Sequence, residues 1–191
     1  MENLRNIGME VNELSESIML QGTAGPFEIF VSQWLRMKGY LVQAPVNYRR
    51  HGGEKVRGRF WSDIDIVGTK GREFAIVECK EWVSSSKQNT AKEVEQKFRN
   101  AKDFFDEIGL TKDKDVRFVF VQMDKDPKID KLLQASAKRL GKSIEYVDFN
   151  QVATEMIEKI RPYITATHVG KFGEPMSWLL SRLIYSHFVK K

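Results

Sequence analysis

Residues 63–80, DIDIVGTKGREFAIVECK, constrain what this chain can fold into more than any other stretch. Over residues 61–68 the apolar Ile64 and Ile66 alternate with Asp63 and Asp65, the period of two that marks a strand with one buried face. Gly68, Thr69, Lys70 and Gly71 supply turn residues. Over residues 74–80, Ile76, Glu78 and Lys80 share one face, while Ala75, Val77 and Cys79 take the other. The stretch therefore predicts a tight β-hairpin that brings carboxylates and a lysine to one side. Acidic groups gathered out of water lose hydration and repel one another, so such a face needs a cation at its centre.

The flanking sequence predicts helices around this hairpin. Leu4, Ile7, Val11, Leu14 and Ile18 follow a 3-4 spacing, so residues 1–21 read as an amphipathic helix, with a seam for its own domain or for a second copy. Pro26 suits the first turn of a second helix, in which Phe27, Phe30, Val31, Trp34 and Leu35 form the buried stripe. Glu28 lies about 100° from Phe27, at the edge of that stripe, and Gly39 ends the helix. Residues 40–48 alternate as a strand, with Pro45 marking an edge or a bulge. The basic loop RRHGGEKVRGR then sets Arg49, Arg50, Lys55, Arg57 and Arg59 close to the acidic face, where they suit phosphate contacts.

Beyond the hairpin, residues 91–108 read as a helix with Val94, Phe98, Ala101, Phe105 and Ile108 inward, stopped by Gly109. Residues 116–123 (VRFVFVQM) form a nearly continuous apolar strand, as expected of a central position covered on both faces. A basic helix over 127–141, a strand over 144–149 and a helix from Asn150 to Ile160, closed by Pro162, follow. The segment 174–189 carries too much apolar surface for a solvent-facing helix and should dock on the core or on a second copy. This order predicts an α/β fold with a mixed sheet flanked by helices, an antiparallel meander first and then parallel strands joined by helical crossovers. The domain division expected is an N-terminal helix over 1–21, the main domain over 22–160 and an apolar helix over 161–191.

Length and composition exclude several classes. A chain of 191 residues with 41% apolar and 30% charged residues has enough material for a packed core and does not resemble a disordered one. Its net charge of +5 permits nucleic-acid binding. One cysteine, Cys79, excludes an internal disulfide framework and a cysteine-based zinc site, and fits a reducing cytoplasm. No apolar run approaches the length of a membrane span and the opening residues show no secretory h-region, so neither export nor membrane spanning is expected. His51, His168 and His187 lack ligand spacing. Trp61 and Trp82 read as hairpin packing.

A hairpin register that opposes Asp65 to Glu78 would hold their Cβ atoms about 4.5–5.5 Å apart, close enough for both carboxylates to share one hard cation. Oxygen donors without cysteine or clustered histidine select Mg²⁺ or Mn²⁺ over Zn²⁺. Lys80, two residues past Glu78, would stand beside that ion and orient a water or neutralise phosphate charge. Metal, lysine and basic loop together describe phosphodiester hydrolysis. The parity of the register, and which of Asp63 and Asp65 stands nearer Glu78, stay open at this level.

The pattern of Asp65 and, thirteen positions on, Glu78-Cys79-Lys80, with Glu28 on the preceding helix and Gly39-Tyr40-Leu41-Val42 opening a strand, resembles the PD-(D/E)xK nuclease superfamily. Within it the chain is most similar to archaeal Holliday-junction resolvases and Mrr-type restriction endonucleases. The resemblance implies a restriction endonuclease-like α-β-β-β-α-β core and a Mg²⁺-dependent DNA endonuclease, a hydrolase; the apolar C-terminal helix and the N-terminal heptads predict a homodimer. It implies Asp65 and Glu78 as metal ligands with the Cys79 carbonyl as a third, Lys80 as the residue that activates water or stabilises charge, and Glu28 as an accessory acid. The alternative is a DNA-binding or assembly module that keeps the fold without turnover.

Overall fold

The computed structural model describes residues 18–19, 24–49, 61–83 and 86–166. The expected N-terminal seam up to Leu14, the C-terminal apolar helix and the loop cations Arg50, Lys55, Arg57 and Arg59 lie outside the described residues. Two compact units divide the chain, Met1–Phe149 and Asn150–Lys191.

In the first unit a five-stranded mixed sheet has the order β2 (Leu41–Gln43), β5 (Ile66–Lys70), β6 (Glu73–Lys80), β7 (Asp115–Gln122) and β8 (Ile144–Asp148). The pairs β2/β5 and β5/β6 are antiparallel, whereas β6/β7 and β7/β8 are parallel. Helices α2 (Lys87–Glu107) and α3 (Pro127–Leu140) make the two parallel crossovers, and α1 (Pro26–Met37) lies against β2 and β5. A second, antiparallel sheet joins β1 (Ile18–Met19), β3 (Val46–Arg49) and β4 (Trp61–Ile64) in the order β1-β3-β4. The chain is thus an α/β protein whose strands run first antiparallel and then parallel, as the element order predicts. Helix α4 (Phe149–Ala166) begins directly after β8 and occupies the second unit from Asn150 onward.

Local sequence explains most of these elements. Asp126 caps α3 by accepting from the Lys128 and Ile129 amides, Pro127 opens it, and Gly141 in a left-handed conformation (φ +64°) closes it. Ser86 caps α2 through the Asn89 amide, starting that helix four residues before the apolar pattern begins. The face of β6 that carries Phe74 and Ile76 packs with Phe118 and Phe120 of β7 against Val94, Phe98, Phe104 and Phe105 of α2. Phe98 and Phe118 stack with ring centroids 4.9 Å apart.

Four expectations change. The predicted single strand over 40–48 divides at Ala44-Pro45 into β2 and β3, which join different sheets. Ile18, assigned to a helical seam, instead pairs with Tyr48 as part of β1. Helix α4 runs through Pro162 to Ala166 rather than stopping there. The hairpin turn falls at Gly71 and Arg72, between the paired Lys70 and Glu73, and not at Gly68. Gly71 takes φ +57° while Arg72 keeps a negative φ, the pattern of a two-residue type II′ turn. Gly68 stays in the strand, paired with Val42 and Ala75, and the Tyr40 ring packs 3.3 Å from where a Cβ would stand.

Helices α2 and α3 are tied by Arg139, whose Nε and Nη2 both donate to Glu95 Oε2, at 2.9 and 2.5 Å. Those hydrogen bonds hold the Glu95 carboxyl down at about 2. A depressed acid contributes stability that is complete above its unfolded value near 4.5 and vanishes as pH falls through 2. Arg139→Ala is therefore expected to lose about 1 kcal/mol in urea unfolding at pH 7. The gap to the wild type should close on acidification through that window.

Candidate active site

Between Ile64 and Ile66 the chain changes sheets: Ile64 pairs with Val46 of β3, and Ile66 with Val77 of β6. Asp65 is the bend residue at that change, so the continuous strand expected over 61–68 is interrupted at the acidic position. Extending the β5/β6 register by one step sets Asp65 opposite Glu78. The Cys79 amide donates to Asp65 Oδ2 at 2.6 Å, which holds the aspartate at the end of β6. On that extended register Asp65 and Glu78 share a face, and the Asp65 charge acts on the Glu78 carboxyl.

Glu78 is 2% exposed. Its Oε1 meets Lys97 Nζ at 2.8 Å, while its Oε2 is buried without a hydrogen-bond partner. Lys97 comes from α2 and also pairs with Asp63 Oδ2 at 3.0 Å. Asp63 and Glu78 therefore share one cation, an ammonium supplied by the protein, whose charge also acts on Asp65. Sequence reasoning missed Lys97, although a signal was present. Three residues past Val94 on the same helix, it stands about 60° from the centre of the apolar stripe, where a lysine needs a reason to be. Gln96, by contrast, points outward and donates to Asn100 of its own helix at 2.7 Å.

The other predicted residues fall around this centre. Lys80 lies on the Glu78 face, as expected, with its ammonium 3.1 Å from Glu93 Oε1 of α2. Glu28 sits in the first turn of α1 and folds back over Gly25, where any Cβ would collide with its carboxylate. Its Oε2 is also buried without a hydrogen-bond partner. Arg49 ends β3 opposite Trp61. Trp82 is not hairpin packing: it is 72% exposed, because the strand ends at Lys80 and leaves it beyond the sheet. Cys79 is buried on the opposite face from Glu78, and burial pushes its thiol well up, so it offers no thiolate.

The electrostatics follow from burial. Loss of water, and then the neighbouring Asp65, push the Glu78 carboxyl up to about 8 against the opposing pull of Lys97. Burial likewise raises Asp65, with Glu28 and Asp63 adding to it and Lys97 and the Cys79 amide opposing. Burial disfavours the charge on Lys97, but Glu78, Asp65 and Asp63 outweigh it, so the ammonium is held charged.

The donor chemistry fits a hard divalent cation: carboxylates opposed across a strand pair, with buried oxygens on Glu78 and Glu28 left unpartnered. As the side chains stand, no group of three or more His, Cys, Asp or Glu among the described residues converges on one metal position. Beside these carboxylates stands the Lys97 ammonium, on Glu78 Oε1 and Asp63 Oδ2.

No family model and no curated protein matches this chain. Among solved structures it is similar to a protein of unknown function, AF1548, at 16% identity and a TM-score of 0.46, over 77% of this chain and 70% of that one. A likeness that weak carries no argument about fold family or function. No helix among the described residues is long and apolar enough to cross a membrane.

Proposed function

We propose that the protein is a metal-dependent DNA endonuclease of the PD-(D/E)xK type. The observation that carries this reading is the opposition of Asp65 to Glu78, with a buried Glu78 oxygen left without a partner. The order α1, β2, β5, β6, α2, β7 through the five-stranded sheet agrees with the α-β-β-β-α-β core of that superfamily. Asp65 and Glu78 would hold Mg²⁺ or Mn²⁺, with the Cys79 carbonyl as a third ligand and Glu28 in support. The bound ion would supply a water acidic enough to ionise near neutrality and would neutralise phosphate charge. Lys80 would then orient that water or balance the charge developing on the phosphate. Arg49, Arg50, Lys55, Arg57 and Arg59 grip the DNA backbone.

The test incubates the protein with supercoiled, linear, flapped and four-way-junction DNA in Mg²⁺ or Mn²⁺. Cleavage by the wild type should vanish in chelator and fall about 10²-fold or more in Lys80→Ala. Undiminished cleavage in Lys80→Ala would assign the chemistry elsewhere. A second reading is favoured by one observation: the Lys97 ammonium already pairs with Glu78 Oε1 and Asp63 Oδ2. On that reading the chain binds DNA without turnover, and salt-sensitive binding with no cleavage by the wild type would establish it.

A further inference from the structure

We infer that Lys97 is a resident counter-ion that excludes the divalent cation, so that metal and Lys97 ammonium occupy the acidic centre alternately. The inference rests on the metal-dependent reading above. Lys97 Nζ lies 2.8 Å from Glu78 Oε1 and 3.0 Å from Asp63 Oδ2, bridging two carboxylates from different sheets. A divalent ion bound to Glu78 and Asp65 would sit within a few ångströms of that ammonium, and like charges that close in a desolvated site repel strongly.

Helix α2 engages the site twice. It supplies Lys97 to the carboxylates and Glu93, 3.1 Å from the Lys80 ammonium, to the lysine. Both members of the E-x-K pair are thereby held by side chains of one helix. Glu78 itself, 2% exposed, cannot turn to water to satisfy its second oxygen. Lys97 can leave. Its side chain is 19% exposed, and four rotatable carbons let the ammonium reach solvent while the stem stays packed. A cation that enters must displace it, which weakens metal binding by the work of separating these ion pairs.

Calorimetry of Mn²⁺ binding at pH 8.5 to the full chain tests this with no DNA present. Lys97→Met, which keeps the stem and removes the charge, is expected to bind Mn²⁺ at least tenfold more tightly than the wild type. Lys97→Arg, which keeps the charge, should not gain affinity. Lys97→Gln provides a second neutral variant should the methionine form fold poorly, and a larger Mn²⁺-induced rise in Tm for the neutral variants is the independent readout. Equal or weaker Mn²⁺ binding by both neutral variants would overturn the inference while leaving the metal site standing. Absence of Mn²⁺ binding in every form would remove the inference and the metal-dependent reading together. Tighter binding in Lys97→Met without DNA cleavage by the wild type would uphold the inference and remove only the nuclease.

Discussion

If the protein is the metal-dependent endonuclease proposed, Glu78→Gln is expected to abolish cleavage, and in chelator to leave a protein more stable than the wild type at alkaline pH. The two effects share one cause. Glu78 is buried, and its carboxyl is pushed up to about 8 from an ordinary 4.5. The folded state therefore keeps a proton that the unfolded state has already lost. Its contribution to stability is complete below 4.5 and disappears as pH rises through 8. Each pH unit inside that window costs up to about 1.4 kcal/mol. A glutamine of the same shape carries no such dependence. In chelator, Glu78→Gln should thus gain on the wild type from pH 5 to about pH 8 in urea unfolding and then hold that advantage. In Mg²⁺ it should lose cleavage by about 10³-fold, since a metal ligand accounts for several kcal/mol of transition-state stabilisation. A variant as active as the wild type would remove Glu78 from the site. A pH dependence of stability identical in both would show that burial does not act on this carboxyl.

The second large effect lies in the core. Phe98 is fully buried, stacked on Phe118 with ring planes 17° apart, and is part of the cluster that joins α2 to β6 and β7. Phe98→Ala should cost about 3–5 kcal/mol, read as a fall in the urea midpoint with the slope unchanged. The exposed Gln96, two residues earlier on the same helix, should cost about 0.5 kcal/mol or less when replaced by alanine. Comparable losses at both positions would contradict the packing described here. Because Lys97 lies between these two residues, the pair also calibrates how much of any Lys97 phenotype is mere loss of helix.

Much of the architecture could be read from local pattern. Asp126, Pro127 and Gly141 bound α3, and the apolar run of β7 matches a strand paired on both sides. Phe27, Phe30, Val31, Trp34 and Leu35 form the buried stripe of α1 as the 3.6-residue period requires. Where the reading failed, a long-range contact overrode a local preference. Gly68 looks like a turn residue, yet the ring of Tyr40 claims the space where its side chain would be. Residues 40–48 alternate as one strand, yet β2 and β3 find their partners in different sheets.

The acidic hairpin divides along the same line. By itself the sequence determined that Glu78 and Lys80 share a face, that the opposite face is apolar, and that a cation must neutralise the carboxylates. Those conclusions need only the two-residue period of a strand and the cost of unpaired charge. Tertiary structure alone decided that Asp65 stands at the change of sheets opposite Glu78, since register depends on the partner strand and the turn. It alone decided which cation is present. Lys97 is 19 residues from Glu78 along the chain and reaches it only because the β6/β7 crossover lays α2 over that end of the sheet.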